Sequence, residues 1–161
     1  RGNWVGVELP SIKEVLEIGK GRIIKEGKKI AILNFGGRLE ECKKAADILS
    51  SKGTEITIVD ARFSKPLDEK LIIEIATNHE VLISIEEGSI GGFGSHVMQL
   101  LSDRGIFDKG LKFRSMILPD VFIEQDNPKK MYDIAGLNAF HISKKILDIL
   151  FKKDSIKVVK N

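Results

Sequence analysis

The sequence predicts an α/β sandwich built on a mainly parallel sheet. Three observations predict it. Short apolar runs alternate with stretches of about a dozen residues at helical period. Glycine and proline fall between these segments rather than inside them. The chain has 161 residues and 42% hydrophobic content, which suits one domain with its own core.

The elements follow in order. Residues 1–18 are polar and irregular and read as a linker. Gly19-Lys20-Gly21 punctuates, and Arg22 to Lys25 alternates weakly as a short strand. Gly27 with Lys28-Lys29 makes a turn into a buried run, Ile30-Ala31-Ile32-Leu33, bounded by Gly36-Gly37. In residues 38–51, Leu39, Cys42, Ala45, Ala46 and Leu49 share one helical face, and Lys52-Gly53 stops the helix. Glu55 to Asp60 is a strand, and Pro66 with Asp68 opens a helix to about Thr77, with Leu71, Ile72 and Ile75 inward.

Glu80 to Glu86 is another buried strand. A glycine-rich loop, Gly88 to Gly94, leads into a helix near Ser95–Asp103. Leu111 to Leu118 is a strand. Asn127-Pro128 starts a short helix, with proline at its first position. Asn138 caps a last amphipathic helix to about Phe151, and residues 152–161 form a lysine-rich flexible tail. Residues 19–151 hold neither an internal repeat nor a low-complexity linker.

Composition excludes several function classes. The net charge is +3, but the 20 lysines are spread among acids and aromatics are only 6%, so the chain does not read as a nucleic-acid binder. No apolar run reaches the roughly 20 residues of a membrane span. The single cysteine, Cys42, rules out a disulfide framework and reads as an inert core residue. His79, His96 and His141 lack metal-ligand spacing, and no metal site is expected. His79 reads as a helix-end residue complementing the dipole. The chain begins at Arg1 without methionine or signal peptide, as an excised piece of a longer protein would.

In parallel sheets, sites lie beyond the carboxyl ends of the strands. The loops to watch are therefore residues 34–38, 60–66, 86–96 and 119–128. Glu86-Glu87-Gly88-Ser89-Ile90-Gly91-Gly92-Phe93-Gly94-Ser95-His96 is the richest. Its glycines permit close backbone approach, and free N–H groups at the following helix could hold an anion. A dinucleotide fingerprint lacks its third glycine, and two carboxylates just upstream would repel a phosphate. The other readings are a tight turn against a neighbouring domain, or part of a site shared with it. Glu86 and Glu87 point to opposite faces of a strand, which disfavours a shared-proton dyad; one of them pairs with an arginine such as Arg62 or is solvated. His96 is the best candidate for a ligand or partner contact. Arg62 and Lys65 are a surface pair or anion contacts. No serine sits in a nucleophile elbow.

Taken together, several segments closely resemble one family. They are Arg1-Gly2-Asn3, Gly6-Val7, Ile18-Gly19-Lys20-Gly21, Asp60-Ala61-Arg62-Phe63-Ser64-Lys65-Pro66-Leu67-Asp68, the run from Glu86 to Val97, Leu118-Pro119-Asp120 and Phe122-Ile123. In order and over essentially all of 1–150, they are similar to the C-terminal domain of the 1-deoxy-D-xylulose-5-phosphate synthase family. The wider group is the transketolase-like, thiamine-diphosphate-dependent enzymes.

The resemblance implies a three-layer α/β/α domain whose five-stranded sheet has one antiparallel edge strand. It implies a full-length parent that joins pyruvate to D-glyceraldehyde 3-phosphate with decarboxylation, feeding isoprenoid, thiamine and pyridoxal synthesis. The parent's cofactors would be thiamine diphosphate and Mg²⁺. This fragment would bind neither, because the Gly-Asp-Gly and downstream Asn-Asn that hold them are absent from the sequence. It would be inactive alone and would support a homodimer, with the upstream domains of the same polypeptide as its partners.

By the same resemblance, Arg1 would contact the aldehyde substrate's phosphate. Arg62, Glu86, Glu87, Gly88, Gly91, Gly92, Gly94, His96 and Asp120 would be interface or domain-contact residues, not chemistry. A bacterial cytoplasm or a plastid would fit. The sequence departs from the family at Trp4, Val121, Asp126, which stands where glycine is usual, and Asn138. The competing readings are the same domain of a transketolase or of a 2-oxo-acid dehydrogenase β subunit, and a free-standing module for a nucleotide or regulatory ligand.

Overall fold

Two apolar faces on every central strand decide the architecture. In the computed structural model, which describes residues 15–151, five strands and five helices alternate as the sequence predicts. The strands are β1 (Arg22–Lys25), β2 (Ile30–Phe35), β3 (Thr57–Asp60), β4 (Val81–Glu86) and β5 (Lys112–Met116). The helices are α1 (Leu39–Ser50), α2 (Glu69–Asn78), α3 (Phe93–Asp103), α4 (Pro128–Ile134) and α5 (Ala139–Phe151). A single 3-10 turn, Phe107–Lys109, is the element with no sequence signal. Arg1, the expected linker up to residue 14 and the expected tail lie outside the described residues.

The sheet order is β1-β3-β2-β4-β5. The β1–β3 pair is antiparallel and the other three pairs are parallel. The antiparallel edge strand, which the family resemblance implied and periodicity did not, is therefore present. Alternation along the strands splits the core in two. Ile30, Ile32, Ile58, Ile83 and Ile85 pack with α1 and α5 on one face. Ala31, Leu33, Val59 and Leu82 pack with α2 and α3 on the other. This gives three layers, helix on sheet on helix.

Each helix start has a visible cause. The Asp68 carboxylate accepts from Leu71 N at 3.2 Å to cap α2, and from Gly21 N at 3.1 Å to hold the approach to β1. Asn127 and Asn138 accept from the N–H groups of Lys130 and His141, capping α4 and α5. Glu41 on α1 reaches across to the Ala139 N–H at 2.9 Å, which ties the two helices of one face together. Burial pushes its carboxyl up, but the Lys44 ammonium and that N–H outweigh burial, so the net shift is downward. The α3 helix begins at Phe93, two residues before the expected start near Ser95, and so takes Gly94 into its first turn.

Asp126 shows why glycine is dispensable there. Among the described residues, the one non-glycine with positive φ is Arg62, so Asp126 sits in ordinary backbone space. Its carboxylate accepts from the Asn127 N–H at 2.7 Å and pairs with Lys130.

Candidate functional site: the carboxyl end of the sheet

The strand order reverses at β2. After β2 the chain crosses by α1 to β3 on one side; after β3 it crosses by α2 to β4 on the other. Because α1, which leaves β2, and α3, which leaves β4, lie on opposite faces, a crevice should open between the carboxyl ends of β2 and β4. In open α/β sheets this is where ligands bind. Here the protein's own side chains fill it.

Leu82, Ser84 and Glu86 are alternate residues on the face of β4 that meets α3. The Glu86 side chain turns inward, with only 4% of the residue exposed. One oxygen accepts from Phe93 N at 3.0 Å and the other from Gly94 N at 2.8 Å. These are the orphan donors of the first turn of α3, at the positive end of its dipole. An internal carboxylate thus occupies the position that an anionic ligand would take. The glycines make room for it. A Cβ on Gly92 would lie 2.4 Å from Glu86 Oε2, and one on Gly88 2.5 Å from it. Gly94 lets α3 approach β4, since a Cβ there would lie 2.6 Å from Ser84 Oγ. Gly91 holds a φ of +92°, which disfavours any side chain.

Glu87 points to the opposite face, as the strand period requires. Its partner is not Arg62. Arg38, at the end of the loop after β2, brings Nε to 2.8 Å from Glu87 Oε1, with only 8% of its side chain exposed. The Arg38 guanidinium carbon also lies 3.6 Å from the centre of the Tyr132 ring on α4. Burial, and then the hydrogen bond that the Tyr132 hydroxyl donates to Glu87, push the phenol above its usual range. This cluster therefore joins the loops after β2 and β4 to helix α4 across the crevice. Sequence reasoning missed Arg38 and Tyr132; the one available signal was that Arg38 closes a loop after a central strand.

Arg62 lies elsewhere, at the end of β3. It has φ +58°, and the Phe63 N–H donates to the Ala61 carbonyl across it at 2.6 Å, making a three-residue turn. Its Nε is 3.8 Å from Asp60 Oδ2, which also accepts from Arg22 Nε at 3.2 Å. His96 is exposed on the first turn of α3, with Nδ1 3.4 Å from Ser64 Oγ. Asp120 is exposed on the loop after β5, which starts with the Leu118 N–H donating to the Gly88 carbonyl at 2.9 Å. Around these polar groups the same end of the molecule exposes large apolar side chains. Ile90 is 80% exposed, Val121 65% and Phe122 92%.

The remaining candidates lie apart from this end. His79 closes α2, with Nδ1 2.8 Å from the Ile75 carbonyl and Nε2 2.7 Å from Thr57 Oγ1. Thr57 Oγ1 also accepts from Gly27 N, so its hydroxyl proton is free to go to Nε2, which assigns the proton on Nδ1. Among the described residues there is no group of three His, Cys, Asp or Glu side chains able to hold a metal ion. No helix among them is long and apolar enough to cross a membrane.

Cys42 is fully buried under α1, and burial pushes its thiol up to about 12. Native protein at pH 8 is expected to resist iodoacetamide, with labelling appearing on addition of denaturant; fast native labelling would contradict the burial. The folded thiol holds its proton more tightly than the unfolded one. Its stabilising contribution is therefore fully present below pH 9 and is lost as pH climbs from about 9 towards 12. Cys42→Ala should flatten that alkaline limb of a stability–pH curve.

Comparison with known proteins gives this arrangement a family. Residues 19–142 match the family described as transketolase, C-terminal domain. A split gene transketolase, solved as an inactive β4 tetramer, is 28% identical with a TM-score of 0.78 over 89% of this chain. The transketolase of Campylobacter jejuni subsp. jejuni NCTC 11168 is 17% identical with a TM-score of 0.59 over 81% of this chain, a likeness of fold. The chain spans 46% of the first of these proteins and 18% of the second.

Proposed function

The chain belongs to the transketolase C-terminal domain family, and from that premise we propose that it is the non-catalytic C-terminal domain of a thiamine-diphosphate-dependent transferase. The parent enzyme is a 1-deoxy-D-xylulose-5-phosphate synthase, which condenses pyruvate with D-glyceraldehyde 3-phosphate and releases carbon dioxide. The finer assignment is supported by the wording of the Asp60–Asp68 and Glu86–Val97 segments.

The observation that carries the non-catalytic role is the filled crevice. Glu86 already satisfies the anion-receptive N–H groups of α3, and Arg38, Glu87 and Tyr132 close the space beside it. The residues present at this end therefore do not fit the diphosphate of the cofactor or its Mg²⁺. In this reading both are held by upstream domains of the parent, and Arg1, beyond the described residues, meets the substrate phosphate there. The exposed Ile90, Val121 and Phe122, rimmed by His96 and Asp120, are the surface those domains cover.

A second reading, a transketolase proper, is favoured by the 28% identity to the split gene transketolase over most of the chain. One experiment separates the readings. The 161-residue chain is assayed with pyruvate, D-glyceraldehyde 3-phosphate, thiamine diphosphate and Mg²⁺, alone and joined to the upstream domains of its gene. Carbon dioxide release by the joined protein alone supports the synthase. Ketol transfer from a ketose phosphate without carbon dioxide supports the transketolase. Turnover by the separate chain would overturn the non-catalytic role.

A further inference from the structure

We propose that the cavity at the amino end of the sheet binds a small phosphate-bearing polyanion. The site lies at the pole opposite the filled crevice and does not rest on the functional reading above. The cavity measures about 410 Å³ and opens beneath the starts of β2, β4 and β5. Lys28 and Lys29 reach it from the turn before β2, Lys109 from the end of the 3-10 turn and Lys112 from the first position of β5. Four lysines from two separate stretches, residues 28–29 and 109–112, thus line one hollow.

The sole carboxylate in the lining, Glu80, lies 3.5 Å from Lys29 Nζ. Among the described residues, Lys28, Lys109 and Lys112 have no ion pair. The carboxyl end of α2 also arrives here and would account for some positive lining. A helix C-terminus carries only about half a negative charge. One of its carbonyls, that of Ile75, is already taken by His79. Three ammonium groups exceed that demand, so a positive balance stays in the cavity. Part of its wall is apolar, including the buried Ile106, which strengthens the field inside. Ammonium groups are point-charge partners for phosphate oxygens.

The test uses the 161-residue chain, with inorganic pyrophosphate as the probe and ionic strength held constant with sodium chloride. Amide ¹H–¹⁵N shifts are followed in the wild type, in Lys109→Gln/Lys112→Gln, and in Lys144→Gln/Lys145→Gln on α5 as a charge-matched control. The expected result is saturable shifts centred on residues 77–80 and 109–112. The apparent Kd should rise by at least about tenfold in the first variant and stay unchanged in the control. Shifts that grow without saturating, that spread evenly over lysine-bearing surfaces, or that survive intact in Lys109→Gln/Lys112→Gln would overturn the proposal. The substituted side chains are exposed, so both variants should fold.

Discussion

Replacing Glu86 with alanine is expected to lower the stability of the chain by about 3 kcal/mol, or a Tm about 6–12 °C lower in thermal unfolding. The carboxylate makes two charge-assisted hydrogen bonds to the Phe93 and Gly94 N–H groups in a buried setting. Alanine leaves both donors unsatisfied at the start of α3 and removes a negative charge from the positive end of its dipole. Glu86→Gln separates these contributions. It keeps the shape and one good acceptor but turns an amide N–H towards a donor, so about half of the loss is expected. Gly92→Ala approaches the same result by another route. Its Cβ would push Glu86 Oε2 out of place, since the two would be 2.4 Å apart. Unchanged melting of Glu86→Ala would mean that the α3 N-terminus is held by something else, and the account of the filled crevice would fail.

Replacing Arg38 with methionine is expected to cost about 2 kcal/mol. Breaking a buried pair costs more in general, but Glu87 keeps 34% of its side chain exposed, so water recovers part of the loss. Arg38→Lys should not rescue it. A lysine restores the charge but not the flat guanidinium lying 3.6 Å from the centre of the Tyr132 ring. A double-mutant cycle with Glu87→Gln should give a coupling of about 1 kcal/mol, whereas additive losses would argue that the contact carries nothing. Tyr132 is the chain's sole tyrosine, so alkaline absorbance titration reads this cluster directly. Wild type should ionise above the usual phenol range because of burial and Glu87. In Glu87→Gln the midpoint should fall part of the way back, because the charge that opposes ionisation is gone and a neutral amide oxygen holds the phenol proton less strongly than a carboxylate does. A midpoint that stays put would remove Glu87 from the explanation.

Much of the fold was legible because period and punctuation agree locally. Ile30 to Leu33 and Val81 to Ile85 read as strands buried on both faces, and they are. Asp68, Asn127 and Asn138 announce helix starts through chemistry within three residues of themselves. The antiparallel β1 was legible from family resemblance alone, because four residues of weak alternation carry no direction. The early start of α3 depends on Glu86, seven residues upstream of Phe93, and no cap pattern spans that distance.

At the candidate site, strand alternation foretold that Glu86 and Glu87 diverge, but not where each would end. Glu87 meets Arg38 and Tyr132, which stand 49 positions before it and 45 after it. Pairing of that kind follows from the tertiary fold, which sets Tyr132 against the core, and leaves no periodic trace. Arg62 was the more obvious partner by composition, yet the turn at its positive φ sends it to Asp60.

Hydrogen exchange of the chain alone, compared with the chain joined to its upstream domains, tests most directly whether the carboxyl end is a docking face. Added protection should concentrate in residues 88–96 and 118–126, around the exposed Ile90, Val121 and Phe122, with residues 77–80 and 109–112 unchanged. Protection confined to the opposite end of the sheet, or none in either loop, would contradict the account.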